Sequence, residues 1–169
     1  MLSHWTTFAA YNAWANRRLY DAVAALPADD FARDGGAFFR SLKGTLNHLA
    51  VTDEIWLDRL RGGFEPPRRL DDVPYPEFAA LRSVRTTLDA ALEAHVAELT
   101  PDDLDRELRF RRQASPEPIR QRVGPALAHL FNHQTHHRGQ AHALLTQFGG
   151  PEAGPPLDLL LYLRETGAA

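Results

Sequence analysis

With 169 residues, 44% of them hydrophobic and 24% charged, the chain has the make-up of one soluble globular domain, residues 1–169, which excludes a disordered or membrane-embedded polypeptide. Nineteen lysines and arginines against 22 aspartates and glutamates leave a formal charge of −3, so the chain is not built to neutralise a phosphate backbone and nucleic acid is not an expected partner. The absence of cysteine excludes disulfides, thiolate metal ligands and a cysteine nucleophile, leaving imidazole, carboxylate and hydroxyl groups to carry any chemistry.

The opening segment MLSHWTTFAAYNAWANRRLY has polar residues throughout and no apolar run after a basic start, so it does not read as a secretory signal. Instead Leu2, Trp5, Phe8, Ala15, Leu19, Ala22, Val23 and Leu26 recur mostly at three- and four-residue steps and predict a first helix, closed by Pro27. Residues Pro27 to Arg40 read as a connection with room for a short helical turn. A second helix is expected from Ser41, a capping residue, through Leu42, Leu46, Leu49, Trp56 and Leu60 to Gly62-Gly63. Pro66, Pro67, Pro74 and Pro76 bar helix over the next stretch and predict an extended crossover from Gly62 to Pro76. The third helix runs from about Glu77 to Leu99 through Phe78, Leu81, Val84, Leu88, Leu92 and Val96.

Between Leu104 and Val123 the arginine-rich text is weakly hairpin-like and is read as irregular. Its run of Arg106, Arg109, Arg111, Arg112, Arg120 and Arg122 is the one local argument for nucleic acid, against which stands a solvated, salt-bridged surface. The fourth helix spans Pro125 to about Phe148, with proline in its first turn and Gly149-Gly150 at its end. A short fifth helix follows from Pro156 or Leu157 through Leu163. The fold class is therefore all-α, a four-helix bundle with a long crossover connection and a short C-terminal helix. No segment approaches the roughly 18 uninterrupted apolar residues of a membrane span, and a cytoplasmic location is expected by elimination.

The fourth helix carries five histidines, and face decides their roles. His133 and His137 are four residues apart, about 40 degrees around the helix and about 5–6 Å between Cβ atoms, close enough to converge on one ion. They interrupt the otherwise apolar stripe Leu130, Ala141, Leu144, Phe148, so both nitrogens must find partners on a buried face. His48, halfway along the second helix, lies at a depth to join them. Three neutral imidazoles suit zinc, nickel, copper or ferrous iron and leave coordination positions for water or substrate. A water or thiol bound there loses its proton near neutral pH, so no protein nucleophile is required.

His129 is the reserve ligand. His4 and His95 are expected to be surface or hydrogen-bonded side chains and His136 and His142 to face away from the metal, while Asn47, Asn132, Asp53 and Glu54 are candidates for orienting an imidazole. Arg138 is assigned a structural tie in preference to an anionic substrate, and Gly139 a close helix approach. Trp5, Tyr11, Trp14, Phe38, Phe39 and Trp56 are read mainly as core.

The segments YNAWANRRL, LNHLAVTDEIWL, LAHLFNHQTHHRGQAHALLTQFG and PLDLLLYLRE, in that order over nearly the whole chain, resemble the DinB/YfiT-like family of metal-binding four-helix bundles. NHQTHHRGQ is the most specific of them. The resemblance implies a divalent ion held by His48, His133 and His137, with zinc or nickel ahead of iron, copper or manganese. It further implies a small-molecule substrate and a homodimer. Better understood relatives are transferases and isomerases that use low-molecular-weight thiols such as bacillithiol or mycothiol. Transfer of such a thiol to a small electrophile is therefore the leading expectation. A hydrolase using metal-bound hydroxide and a non-catalytic metal-binding or stress-response module are the alternatives.

Overall fold

A computed structural model describes residues 2–64, 69–112 and 115–168. Helix α1 (Leu2–Ala25) is followed by a 3-10 turn at Ala28–Phe31, then by α2 (Leu42–Leu60) and α3 (Phe78–Ala97). A hairpin of β1 (Glu107–Arg112) and β2 (Ser115–Arg122) leads directly into α4 (Val123–Gly149), and α5 (Leu159–Thr166) ends the chain. Every helix expected from apolar spacing is present within a few residues of its predicted ends.

Helix α1 packs on α3 and α4, and α2 packs on the same two. Contacts such as Asn16 to Asp89 and Tyr20 to Phe78 make α1 and α3 antiparallel. Trp5 against Phe131 and Asn12 against Arg138 make α1 and α4 parallel. Because Trp56 meets His129 while His48 meets His137, α2 runs against α4. Helices α2 and α3 therefore point the same way, and parallel neighbours require a connection that returns along the bundle. Residues 61–77 supply it, as the crossover expectation requires; Pro66 and Pro67 lie outside the described residues. Among the described residues no helix is long and apolar enough to cross a membrane.

The segment read as irregular is instead a two-stranded antiparallel sheet, with Glu107 opposite Arg122 and Phe110 opposite Ile119. Alternation explains it: Leu108 and Phe110 are buried at 2% and 1% exposure while Glu107, Arg109 and Arg111 face out, the two-residue period of a half-buried strand. The arginines predicted to be salt-bridged are partly so, Arg120 with Glu107 at 2.9 Å and Arg122 with Asp105 at 3.4 Å.

The apolar core contains a fully polar layer. Arg85 of α3 lies 2.7 Å from Asp53 of α2 and 3.0 Å from Asp89 one turn along α3. Asn12 and Asn16 of α1 donate to Asp89, and Gln134 of α4 donates to Asp53 at 2.5 Å. Arg138, also of α4, donates to the amide oxygens of Asn12 and Asn16. All four helices are thereby tied by two cations and two carboxylates, all of them buried. Burial pulls the Arg85 guanidinium down, but Asp89 and Asp53 outweigh it and hold the group above its usual range. Burial pushes Asp89 up to about 6 against the pull of Arg85.

Candidate metal centre

Ser41 opens α2 by accepting a hydrogen bond from the Gly44 amide at 3.1 Å, and the residue at that amide must be small. A Cβ at position 44 would stand 2.1 Å from the Phe39 carbonyl oxygen, so glycine lets the preceding turn lie against the helix. That turn holds Arg40 at φ 67, a left-handed conformation uncommon for a side-chain-bearing residue. Two Arg40 to Asp34 hydrogen bonds of 3.0 and 2.6 Å and a Gly35 amide to Arg40 carbonyl bond of 2.7 Å keep it there. The turn delivers the Phe39 ring onto His48, stacked at 4.0 Å and 21°, and edge-on to His137 at 5.5 Å.

The structure brings His48, His133 and His137 together, with one ligand nitrogen from each within 4.8 Å of the others, a group that can hold a metal ion. His48 and His137 are 4% and 9% exposed, while His133 is half-buried and opens the cluster toward solvent. The Leu70 carbonyl, on the crossover, accepts from His48 Nδ1 at 2.8 Å, and the Gln140 amide oxygen accepts from His137 Nδ1 at 2.8 Å. Since a carbonyl oxygen only accepts, both rings carry hydrogen on Nδ1 and turn an Nε2 lone pair inward.

His48 Nε2 and His133 Nε2 are 3.1 Å apart. Two nitrogens each about 2.0–2.1 Å from a common ion stand roughly 3 Å apart, so the spacing fits a shared cation. Burial holds His48 down to about 4, with the Leu70 contact opposing it and His137 adding to it. Burial and the neighbouring histidines hold His133 down to about 3. His137 is lowered too, chiefly by burial. Neutral imidazoles are the form that binds metal, and the set contains no thiolate or carboxylate.

The remaining assignments divide. His129, the reserve ligand, is 5.8 Å from the His133 ring but lies against Trp56 and outside the converging group. His142 contacts the Pro155 carbonyl, His136 is exposed, and His4 packs on Phe8. Among the contacts of the described residues, none of the four candidate orienting residues bonds a ring of the cluster. Asn47 bonds Tyr75 and Lys43, Asp53 belongs to the polar layer, Glu54 accepts from the Tyr75 hydroxyl, and Asn132 is exposed. The true partner Gln140 sits three residues after His137, a helical neighbour that periodicity could have found, whereas the Leu70 carbonyl leaves no trace in side-chain pattern. Arg138 is structural, as expected, but nothing stands within 4 Å of a Cβ at Gly139, which is exposed and allows no close helix approach. Phe38 is 82% exposed, not core.

A model of the DinB family matches residues 1–168. The chain is 25% identical to protein DinB of Bacillus subtilis (strain 168), with 94% of each chain covered. The crystal structure of a DinB-like protein from Bacillus cereus ATCC 10987 superposes with a TM-score of 0.61 at 20% identity, covering 83% of this chain and 87% of that one, a likeness of fold.

Proposed function

The chain belongs to the DinB family, and from that premise we propose that it is a divalent-metal-dependent enzyme transferring a low-molecular-weight thiol to a small electrophilic substrate. The observation that carries the proposal is the convergence of three neutral imidazoles from two helices on one point, with His133 at the solvent edge. An ion held there supplies a Lewis acid that lowers the pKa of a bound thiol or water. The chain's own residues prepare that point. His48, His133 and His137 hold it, Leu70 and Gln140 fix two ring tautomers, and Phe39 shields the His48 ring from water. The lack of any cysteine is compatible with a nucleophilic sulfur that arrives with the substrate and equally with metal-bound hydroxide. A homodimer is part of the same reading, to be tested by light scattering.

The test is elemental analysis of protein purified without a metal-affinity step, joined to a thiol-conjugation screen of the wild type and His137→Ala. One equivalent of divalent metal per chain, lost together with conjugation in the variant, is the expected result. Unchanged metal content in the variant removes His137 from the site. Product formed without added thiol replaces transfer by hydrolysis.

A further inference from the structure

We propose that Arg59 and Arg112, beside His129, form an anion-recognition subsite on the approach to the histidine cluster, and that the thiol this site takes carries a carboxylate or comparable oxyanion remote from its sulfur. The inference rests on the thiol-transfer reading for the nature of the other end of the ligand.

The antiparallel packing of α2 on α4 creates a strip. At one end stand His48, His133 and His137; one turn earlier on α4 comes His129, 5.2 Å from the Trp56 ring. Beyond Trp56 lies Arg59, whose guanidinium carbon is 4.8 Å from that ring and 4.1 Å from the ring of Phe110. Eleven residues separate His48 from Arg59, three turns that return to within about 20 degrees of the same face and advance about 16 Å. The guanidinium is thus roughly 10–15 Å from the ligand nitrogens along one face, the span of a tripeptide-sized thiol.

Arg59 is built as a receptor. Two aromatic contacts restrict its rotation, so less freedom is lost when an anion engages its N–H edge. Among the described residues neither Arg59 nor Arg112 forms an ion pair, while Arg106, Arg120 and Arg122 around the same hairpin all do. Burial and Arg112 hold Arg59 down to about 10, opposed by Asp58, so it remains charged at neutrality. Arg112, two residues after Phe110 on the strand that carries the second ring under Arg59, lies within electrostatic reach of Arg59. Two guanidinium groups beside the histidine cluster, opposed only by the neighbouring Asp58 and forming no ion pair among the described residues, favour an incoming anion. Arg109 and Arg111 belong elsewhere, over Phe64.

The experiment uses cobalt(II)-loaded protein titrated with glutathione and with its diethyl ester, which keeps the thiol and loses both carboxylate charges. Wild type is expected to bind glutathione about tenfold more tightly than the ester, a preference that weakens with salt. In Arg59→Gln/Arg112→Gln the ratio should fall near one with cobalt content and ester affinity unchanged, and Arg59→Lys, which keeps the charge, should retain part of it. Equal affinities in the wild type, or an unaltered ratio in the double variant, overturn the subsite. S-methylglutathione, which has the carboxylates and no free thiol, separates the two readings by calorimetry. If neither thiol perturbs the cobalt spectrum yet S-methylglutathione binding depends on the arginines, thiol ligation fails and the subsite stands. Arginine-independent binding in both arms, or none, overturns it.

Discussion

Two polar clusters interrupt the apolar interior of this bundle, and they complete their bonding in opposite ways. In the layer around Arg85 each charge meets an opposite charge or an amide within the chain, although Arg85 Nε and Nη1 and Gln134 Oε1 have no hydrogen-bond partner among the described residues. In the histidine cluster the protein supplies acceptors on the outer side of two rings and leaves the inner nitrogens facing one another. The first arrangement serves cohesion, since it ties all four helices. The second serves binding, since its bonding is completed only by a cation or a shared proton. Burial of polar groups alone therefore does not mark a functional site; the direction in which their bonding remains incomplete does.

That contrast can be broken first at the closed layer. Arg85→Met leaves Asp53 and Asp89 buried without their cation and should cost about 3–5 kcal/mol in chemical denaturation, the scale for removing one partner of a buried pair. Metal at 100 times its dissociation constant adds about 2.7 kcal/mol to wild type and variant alike, so the difference between them should persist in metal-loaded protein. Conversely, chelation should lower wild-type stability by an amount that follows free metal concentration and should leave His137→Ala unmoved; equal sensitivity of both proteins would detach the cluster from metal binding. Gly44→Ala tests the support of the open cluster. Its Cβ must displace the Phe39 turn, with an expected cost of about 1–3 kcal/mol and weaker metal binding although no ligand has changed. Full metal affinity in that variant would show that Phe39 does not hold His48.

Acid separates the clusters by sign. Asp89 is raised from 3.8 to about 6, so over that window the folded state takes up a proton that the unfolded chain does not, and this group's contribution to stability is lost as pH rises. His48 is lowered from 6.5 to about 4, so between those values only the unfolded chain gains a proton, and stability is lost as pH falls. Denaturation of chelated protein between pH 4 and 6.5 should show wild type losing ground to Asp89→Asn as pH rises and to His48→Gln as pH falls. Parallel trends in the two comparisons would contradict the assignment.

The helices and the convergence of three histidines are legible because burial repeats at three- and four-residue steps and because two histidines sit where that repeat demands apolar side chains. The hairpin was less so, since only Leu108 and Phe110 carry its alternation between masking arginines. Of the polar layer only Arg138 is legible as a structural tie, and Asp53 reads as an imidazole partner. Asn12, Asn16, Arg85 and Asp89 are scattered over two helices, and polar residues on a helix read as solvent-facing until a neighbouring helix is known to cover them. Phe39 reads as ordinary core, because no periodicity reports that a left-handed Arg40 and a bare Gly44 swing its ring over an imidazole.

The oxygen that orients His48 comes from the main chain at position 70, whose own side chain is 53% exposed. Almost any amino acid there offers the same acceptor, so the identity of this residue is free to drift while the path of the returning strap is not. A library randomised at position 70 should keep metal loading, whereas removal of a single residue between Asp71 and Pro74 should abolish it by shifting that oxygen out of reach.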